Sequence, residues 1–211
     1  MDVEPLIYSG RTYVPVRFIA ENLGMTVKWN ETTNMVEIES VPAITPPIIN
    51  PIPTSQGDID KLKLYNRISN VYESLAELGE YIYSTSNELG LASDYIFKDN
   101  NPDYIKTVNE RIDQRGLSLA NMIMEVAGIR DESIKYNINL KDMDTILNFY
   151  HESLEGYKVS SKSLYNYWLN RNSSDFDIFL NNRMDAHDKF YSGLNLATVG
   201  YHKYYNLIQN Y

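Results

Sequence analysis

Three basic side chains stand at positions where a charge is costly. Arg115, Arg183 and His187 fall on the apolar faces of predicted helices, and a buried charge costs several kcal/mol unless it is paired. In one interpretation, each charge pairs with a flanking carboxylate and sets the register of the helices. In the other, these side chains form a pocket for a small anion, to which a guanidinium donates two parallel hydrogen bonds. The candidate carboxylates for the first interpretation are Asp113, Asp185 and Glu152.

The histidines do not form a recognisable metal site. There are three, His151, His187 and His202, with no His-x-His pair and no cysteine. His187 and His202 are separated by fifteen positions on one predicted helix, which places them about 22 Å apart along its axis. We therefore predict no metal and no cofactor.

Tyrosine is unusually frequent, with 18 residues in a chain of 211. The simplest interpretation is that the rings line the edge of a core and keep their hydroxyls in water. Alternatively, an exposed row of tyrosine rings binds a glycan or a partner protein. The candidates for that row lie near the C-terminal end: Tyr201, Tyr204, Tyr205 and Tyr211.

Composition and motifs exclude several classes of function. The net charge is −9, and such a chain repels the phosphate backbone of nucleic acids. No apolar run approaches the roughly 18 residues of a membrane span. The motifs of serine hydrolases, zinc proteases, P-loop nucleotide binders and di-iron bundles are all absent. We therefore expect no catalytic residues.

Residues 57–211 show the three-four spacing of apolar residues that is typical of long amphipathic helices. Turn signals at residues 99–102, near Asn137 and at residues 170–174 divide them into four helices. The first runs from near Asp58 to about Lys98. The pattern predicts an antiparallel four-helix bundle; a helix broken near Gly90 or Asn137 would make five.

Glycine recurs within these predicted helices, although it costs about 1 kcal/mol relative to alanine there. Gly79 and Ser86 are seven positions apart, and so are Gly193 and Gly200. We expect these small residues to make room for bulky aromatic side chains from neighbouring helices. A cavity for a ligand is the alternative.

Residues 1–40 have a different pattern, with short stretches in which apolar and polar residues alternate. They predict a small ββαββ module: a hairpin around Ser9 and Gly10, a helix from Pro15 to Gly24, and a second hairpin. Residues 41–56 hold five of the eight prolines and are interpreted as a semi-rigid linker. The predicted fold class is α+β, with domains at 1–40 and 57–211.

The first module resembles the copper amine oxidase N-terminal-like domain, also called the stalk domain. The similarity covers about a sixth of the chain, in the stretch PLIYSGRTYVPVRFIAENLGMTVKWNETTNMVEI. The matching positions are Pro5, Gly10, Arg11, Thr12, Val14, Pro15, Arg17, Leu23, Gly24, Val27 and Trp29.

This resemblance indicates where such a protein is found more than which reaction it could catalyse. Such domains are common in exported and cell-envelope proteins of Gram-positive bacteria, joined to unrelated partner domains. The oxidase reaction belongs to a separate domain with a modified tyrosine and three histidine ligands. Asn166-Tyr167-Trp168 lacks the acid that follows that tyrosine. We therefore do not expect an amine oxidase.

Three hypotheses follow for function. The first is a non-enzymatic, exported or envelope-associated protein, whose export signal we expect to have been removed. In it, the stalk-type module carries a helical bundle that binds a protein or a cell-wall polymer. The second is a sensor-type bundle that binds a small anionic ligand near Arg115, Arg183 and His187. An enzyme is the third, and the sequence indicates no oligomeric state.

Overall fold

The structure is a computed structural model that describes residues 6–8, 11–13, 25–30, 32–33, 35–40 and 55–211. The chain divides into two compact units, Met1–Ile48 and Ile49–Tyr211. The division falls within the proline-rich stretch of the sequence.

The first unit contains two antiparallel hairpins. Their strands are β1 (Leu6–Tyr8), β2 (Arg11–Tyr13), β3 (Met25–Asn30) and β4 (Met35–Ser40). In the second hairpin Val27 is paired with Ile38 and Trp29 with Val36, as their alternation predicts. The predicted helix from Pro15 to Gly24 lies outside the described residues, so the complete ββαββ order stays a prediction.

The second unit consists of four long helices. They are α1 (Gln56–Asp99), α2 (Asp103–Lys135), α3 (Lys141–Asn170) and α4 (Ser173–Gln209). The helix α1 continues through Gly90, and the backbone of Asn137, with φ of 54°, lies in the turn between α2 and α3. The helical part therefore contains four helices and not five. None of them combines the length and apolar character that crossing a membrane requires.

Side chains at the helix starts explain where the helices begin. The Ser55 hydroxyl accepts a hydrogen bond from the Asp58 amide at 3.1 Å, and Asn101 accepts one from the Asp103 amide at 2.8 Å. Asn172 accepts from the Ser174 amide at 3.0 Å. The last contact makes Asn172 the residue that caps α4. Asparagine suits this position because its short side chain reaches the amide two residues on.

The four helices alternate in direction around one hydrophobic core. Tyr95 near the end of α1 contacts Tyr104 near the start of α2, and Tyr65 near the start of α1 contacts Tyr204 near the end of α4. On α3 and α4, Ser153 donates to the Ala186 carbonyl and Ser160 to that of Phe179. In each pair the order along one helix is reversed on the other. The helices therefore form an antiparallel helical bundle.

At three places a tyrosine side chain packs directly against a glycine of another helix. A Cβ atom at Gly200 would lie 2.1 Å from the Tyr72 ring, and one at Gly193 would lie 2.5 Å from the Tyr150 ring. A Cβ at Gly79 would lie 2.4 Å from the Tyr150 hydroxyl. The prediction that these glycines make room for aromatic side chains is confirmed.

Candidate functional site

Arg115 is buried at the contact between α2 and α1. Its Nη1 donates to Glu88 Oε2 at 2.9 Å and its Nη2 to Glu88 Oε1 at 3.0 Å. Its Nε donates to the Tyr81 carbonyl at 2.7 Å, and Nη2 also donates to the Ser84 hydroxyl. The exposed fraction of Arg115 is 1%. A charge so deeply buried requires this degree of hydrogen bonding.

The partner of Arg115 is thus Glu88 on α1, which the sequence analysis did not consider. Two of the three suggested carboxylates have other contacts: Asp113 lies 4.0 Å from Lys158, and Glu152 lies 2.7 Å from Lys189. Glu88 also accepts a hydrogen bond from Arg111 at 2.8 Å. Arg111 and Arg115 are one helical turn apart on α2. That spacing was the sequence signal for an acidic partner on the facing helix.

Arg183 lies in a different environment, on the opposite side of α1. Its Nε donates to the buried Ser86 hydroxyl at 3.1 Å, and it forms no ion pair with any residue that the structure describes. A Cβ at Gly90 would lie 3.0 Å from its Nη2, so the guanidinium lies across this glycine. Residues 86 and 90 project from the side of α1 opposite to Tyr81, Ser84 and Glu88, since each residue turns the helix by about 100°. The two arginines therefore do not share a site.

Arg183 and His187 line one cleft between α1 and α4, with a volume of about 370 Å³. The His187 ring lies 5.6 Å from the Tyr83 ring across the cleft and 5.7 Å from that of Phe190. The remaining lining residues are Ser86, Asn87, Leu180, Met184 and Asp188. A basic group, an amide and aromatic rings thus face one opening. Such a combination orients a small polar ligand over an apolar surface.

Tyr157 lies behind this cleft. Its hydroxyl is buried and has no hydrogen-bond partner among the described residues. Burial raises the pKa of Tyr157 to about 12, while the nearby hydroxyls of Ser153 and Ser86 and the positive charge of Arg183 act in the opposite direction. The phenol stays protonated at neutral pH. In the sequence, the spacing of Tyr157 marks it only as a core residue.

The C-terminal tyrosines do not form one exposed row. Tyr204 is only 3% exposed and stacks on Tyr72 at 5.8 Å. Tyr211 packs edge-on against Tyr65 at 6.0 Å. Tyr201 and Tyr205 stack on each other at 5.7 Å on the outer side of α4, and Tyr205 is exposed. Of these four tyrosines only Tyr205 is exposed, and Tyr201 also packs partly against the core.

The described residues contain no group of three or more histidine, cysteine, aspartate or glutamate side chains that could hold a metal ion. His151 lines a groove between α2 and α3, whereas His187 and His202 both lie on α4.

Comparison with known proteins bears on the first unit. No curated protein and no solved structure matches the chain. Residues 1–43, a fifth of the 211 residues, match the family model described as the copper amine oxidase N-terminal domain, which is the non-catalytic part of those oxidases.

Proposed function

We propose that this protein is a non-enzymatic binding protein of the bacterial cell envelope. In this proposal a stalk-type N-terminal domain carries a helical bundle that binds a protein or an envelope polymer. The observation that carries the proposal is the match of residues 1–43 to a non-catalytic domain, in a chain that continues as a helical bundle. Export to the envelope is part of the proposal and is supported by the same match.

The contacts of the ionisable groups support a non-enzymatic role. The buried guanidinium of Arg115 is held by Glu88, Tyr81 and Ser84. The strongly raised pKa values belong to tyrosines that solvent does not reach, among them Tyr150 and Tyr157. Groups that are satisfied or sealed in this way do not meet a substrate.

The stacked pair of Tyr201 and Tyr205 is the surface that best suits a glycan chain or a partner protein. Stacked rings present apolar faces at little entropic cost, because tyrosine has few rotatable bonds. Aromatic side chains of this kind often dominate the energy of binding interfaces.

Co-sedimentation of the full chain with purified Gram-positive peptidoglycan, with and without its anionic wall polymer, tests the proposal. We expect the chain to sediment with one of the two preparations. Tyr205→Ala should weaken this binding about tenfold, whereas Tyr191→Ala, at another exposed tyrosine of α4, should leave it unchanged. Failure to bind either preparation argues against an envelope polymer as the partner.

A second candidate function rests on the cleft between α1 and α4. Arg183 has a half-buried guanidinium without an ion pair among the described residues, next to His187 and Asn87. A guanidinium in this setting binds a carboxylate or phosphate group through two parallel hydrogen bonds. The bundle would then bind a small anionic ligand between its helices. Asp188 lines the same cleft and disfavours ligands of high negative charge.

Titration with acetate, succinate and inorganic phosphate, followed by NMR of the His187 ring in the same cleft, tests this second candidate. We expect saturable shifts of the His187 ring resonances. They should be lost in Arg183→Gln and kept in Arg130→Gln, which breaks an exposed pair with Asp144. Shifts that are equal in both variants would rule out the cleft as the anion site.

A further inference from the structure

The cleft between α1 and α4 contains two charges of opposite sign that do not neutralise each other. Besides His187, its lining includes one cation, Arg183, and one anion, Asp188. Neither forms an ion pair with a residue that the structure describes, and so they do not pair with each other. They are five positions apart on α4, which corresponds to about 7.5 Å along the helix axis. A ligand in the cleft therefore meets a positive and a negative group.

Other charged side chains within one helical turn of the lining make its surroundings negative. Two of them are neutralised by ion pairs, Glu88 by Arg115 and Lys189 by Glu152. The other three are exposed carboxylates: Glu80, Asp177 and Asp185. A ligand whose only charge is negative is attracted by the guanidinium in the cleft but repelled by the carboxylates in and around it. The site therefore favours a ligand whose negative charge is balanced by a positive one.

An apolar surface lies next to the two charges. Leu180 and Met184 are one turn apart on α4, and Tyr83 contributes a ring from α1. Met184 is 67% exposed, so its side chain is open to a ligand. A cleft of about 370 Å³ is at the small end of the range for ligand pockets. The site therefore suits a small molecule that carries an apolar group.

We propose that this cleft binds a free α-amino acid with an apolar side chain. The carboxylate of the ligand accepts two parallel hydrogen bonds from Arg183, and its ammonium group donates to Asp188. Both charged groups are attached to one carbon atom, so with a hydrogen bond of about 2.8 Å on each side the ligand spans a gap of the size that separates these residues along α4. Its side chain lies against Leu180 and Met184. This inference rests on the second candidate function and names the class of its ligand.

Three related molecules test whether both charges of the ligand are needed. They are L-leucine, 4-methylpentanoate, which lacks the ammonium group, and 3-methylbutylamine, which lacks the carboxylate. Each is titrated to about 10 mM into the full chain at pH 7, and the His187 ring resonances are followed by NMR. We expect a dissociation constant of roughly 0.1–1 mM for leucine, because a small ligand in an open cleft makes few contacts. Each analogue should bind at least about tenfold more weakly, because one charge in the cleft is left without a partner.

The outcomes separate this inference from the second candidate function. If 4-methylpentanoate binds as tightly as leucine, the cleft is a plain anion site, so the inference is overturned and the second candidate function stands. The same conclusion follows if acetate or phosphate shifts the His187 resonances and leucine does not. If none of these molecules causes saturable shifts, both fail.

Asp188→Asn tests the role of the carboxylate, because its effect should have opposite signs for two ligands. Asp188 is exposed, so the variant should keep its helical circular dichroism spectrum. Its affinity for leucine should fall about fivefold, whereas its affinity for 4-methylpentanoate should rise, since a repulsive charge is removed. Asp131→Asn is the matched control, because it removes the same charge from an exposed position on α2, and it should change either affinity by less than about twofold. A change of the same sign for both ligands, or equal effects in the two variants, overturns the inference.

Discussion

The contact between Gly200 and Tyr72 allows the packing of the bundle to be tested with a single methyl group. In Gly200→Ala the new Cβ would lie 2.1 Å from Cε1 and 2.3 Å from Cδ1 of the Tyr72 ring. The ring is only 2% exposed and stacks on Tyr204 at 5.8 Å. It must move by more than 1 Å to reach ordinary van der Waals contact of about 3.5 Å. Its neighbours in the core resist that movement.

Two effects of opposite sign determine the result. Alanine in place of glycine favours a helix by about 1 kcal/mol. Overpacking a well-filled core costs about 1–3 kcal/mol, and the short distance at Gly200 places this site in the upper part of that range. We expect Gly200→Ala to lower the free energy of unfolding by about 1–2 kcal/mol, since the packing cost exceeds the gain in helix propensity.

Gly128→Ala is the matched control, because it adds the same methyl group to a helix without meeting any atom within 4 Å. It should stabilise the bundle by up to about 1 kcal/mol. Urea unfolding followed by far-UV circular dichroism should therefore separate the two variants by about 2–3 kcal/mol. In thermal unfolding, each kcal/mol should shift Tm by about 2–4 °C.

A double variant shows whether the Tyr72 ring is the cause. Tyr72→Leu removes the ring that the new methyl group meets, so Gly200→Ala should be much less harmful in that background. The coupling energy should be at least about 1 kcal/mol. If Gly200→Ala stabilises the bundle as much as Gly128→Ala, the close packing of α1 and α4 at this point is refuted.

Three other outcomes concern the buried polar groups. Glu88→Ala leaves the Arg115 guanidinium buried without its carboxylate, so the free energy of unfolding in urea should fall by about 3–5 kcal/mol. Asp94→Ala, which breaks the exposed pair with Lys98, should change it by less than about 1 kcal/mol. The pKa of Tyr157 is raised to about 12, so above pH 10 the unfolded chain loses this proton first. Urea titrations should show stability falling there by about 1.4 kcal/mol per pH unit for this residue, and Tyr157→Phe should remove that part of the slope. At pH 7 the same substitution should change stability by less than about 1 kcal/mol, because the hydroxyl forms no hydrogen bond of good geometry with the described residues, although Ser153 and Ser86 are nearby.

Local patterns in the sequence predicted much of the helical part. The first helix was expected from near Asp58 to about Lys98 and runs from Gln56 to Asp99. The periodicity of its apolar residues and the turn residues at its ends are local features of the sequence. They can therefore be recognised without knowing which helices pack against each other. The aromatic neighbours of Gly193 and Gly200 were also anticipated, because glycine within a long helix needs a packing reason.

Which side chains contact each other between helices was harder to predict from the sequence. The partner of Arg115 depends on how far α1 is shifted along α2, and the sequence contains no direct measure of that shift. For the same reason Arg115 and Arg183, which look alike in their heptads, contact opposite sides of α1. Tyr204 is buried because Tyr65 and Tyr72 of α1 pack against its ring. These contacts also depend on how the two helices are placed against each other.

The alternating directions of the helices have a mechanical consequence. The helix α1 begins and α4 ends at the same end of the bundle, where Tyr65 meets Tyr211. A stretching force applied through residues 55 and 211 therefore peels α1 and α4 apart from that end, one layer of contacts at a time. Such unzipping needs less force than sliding two helices past each other, which would break all layers together. Under tension between these two points, the bundle should yield early and lengthen.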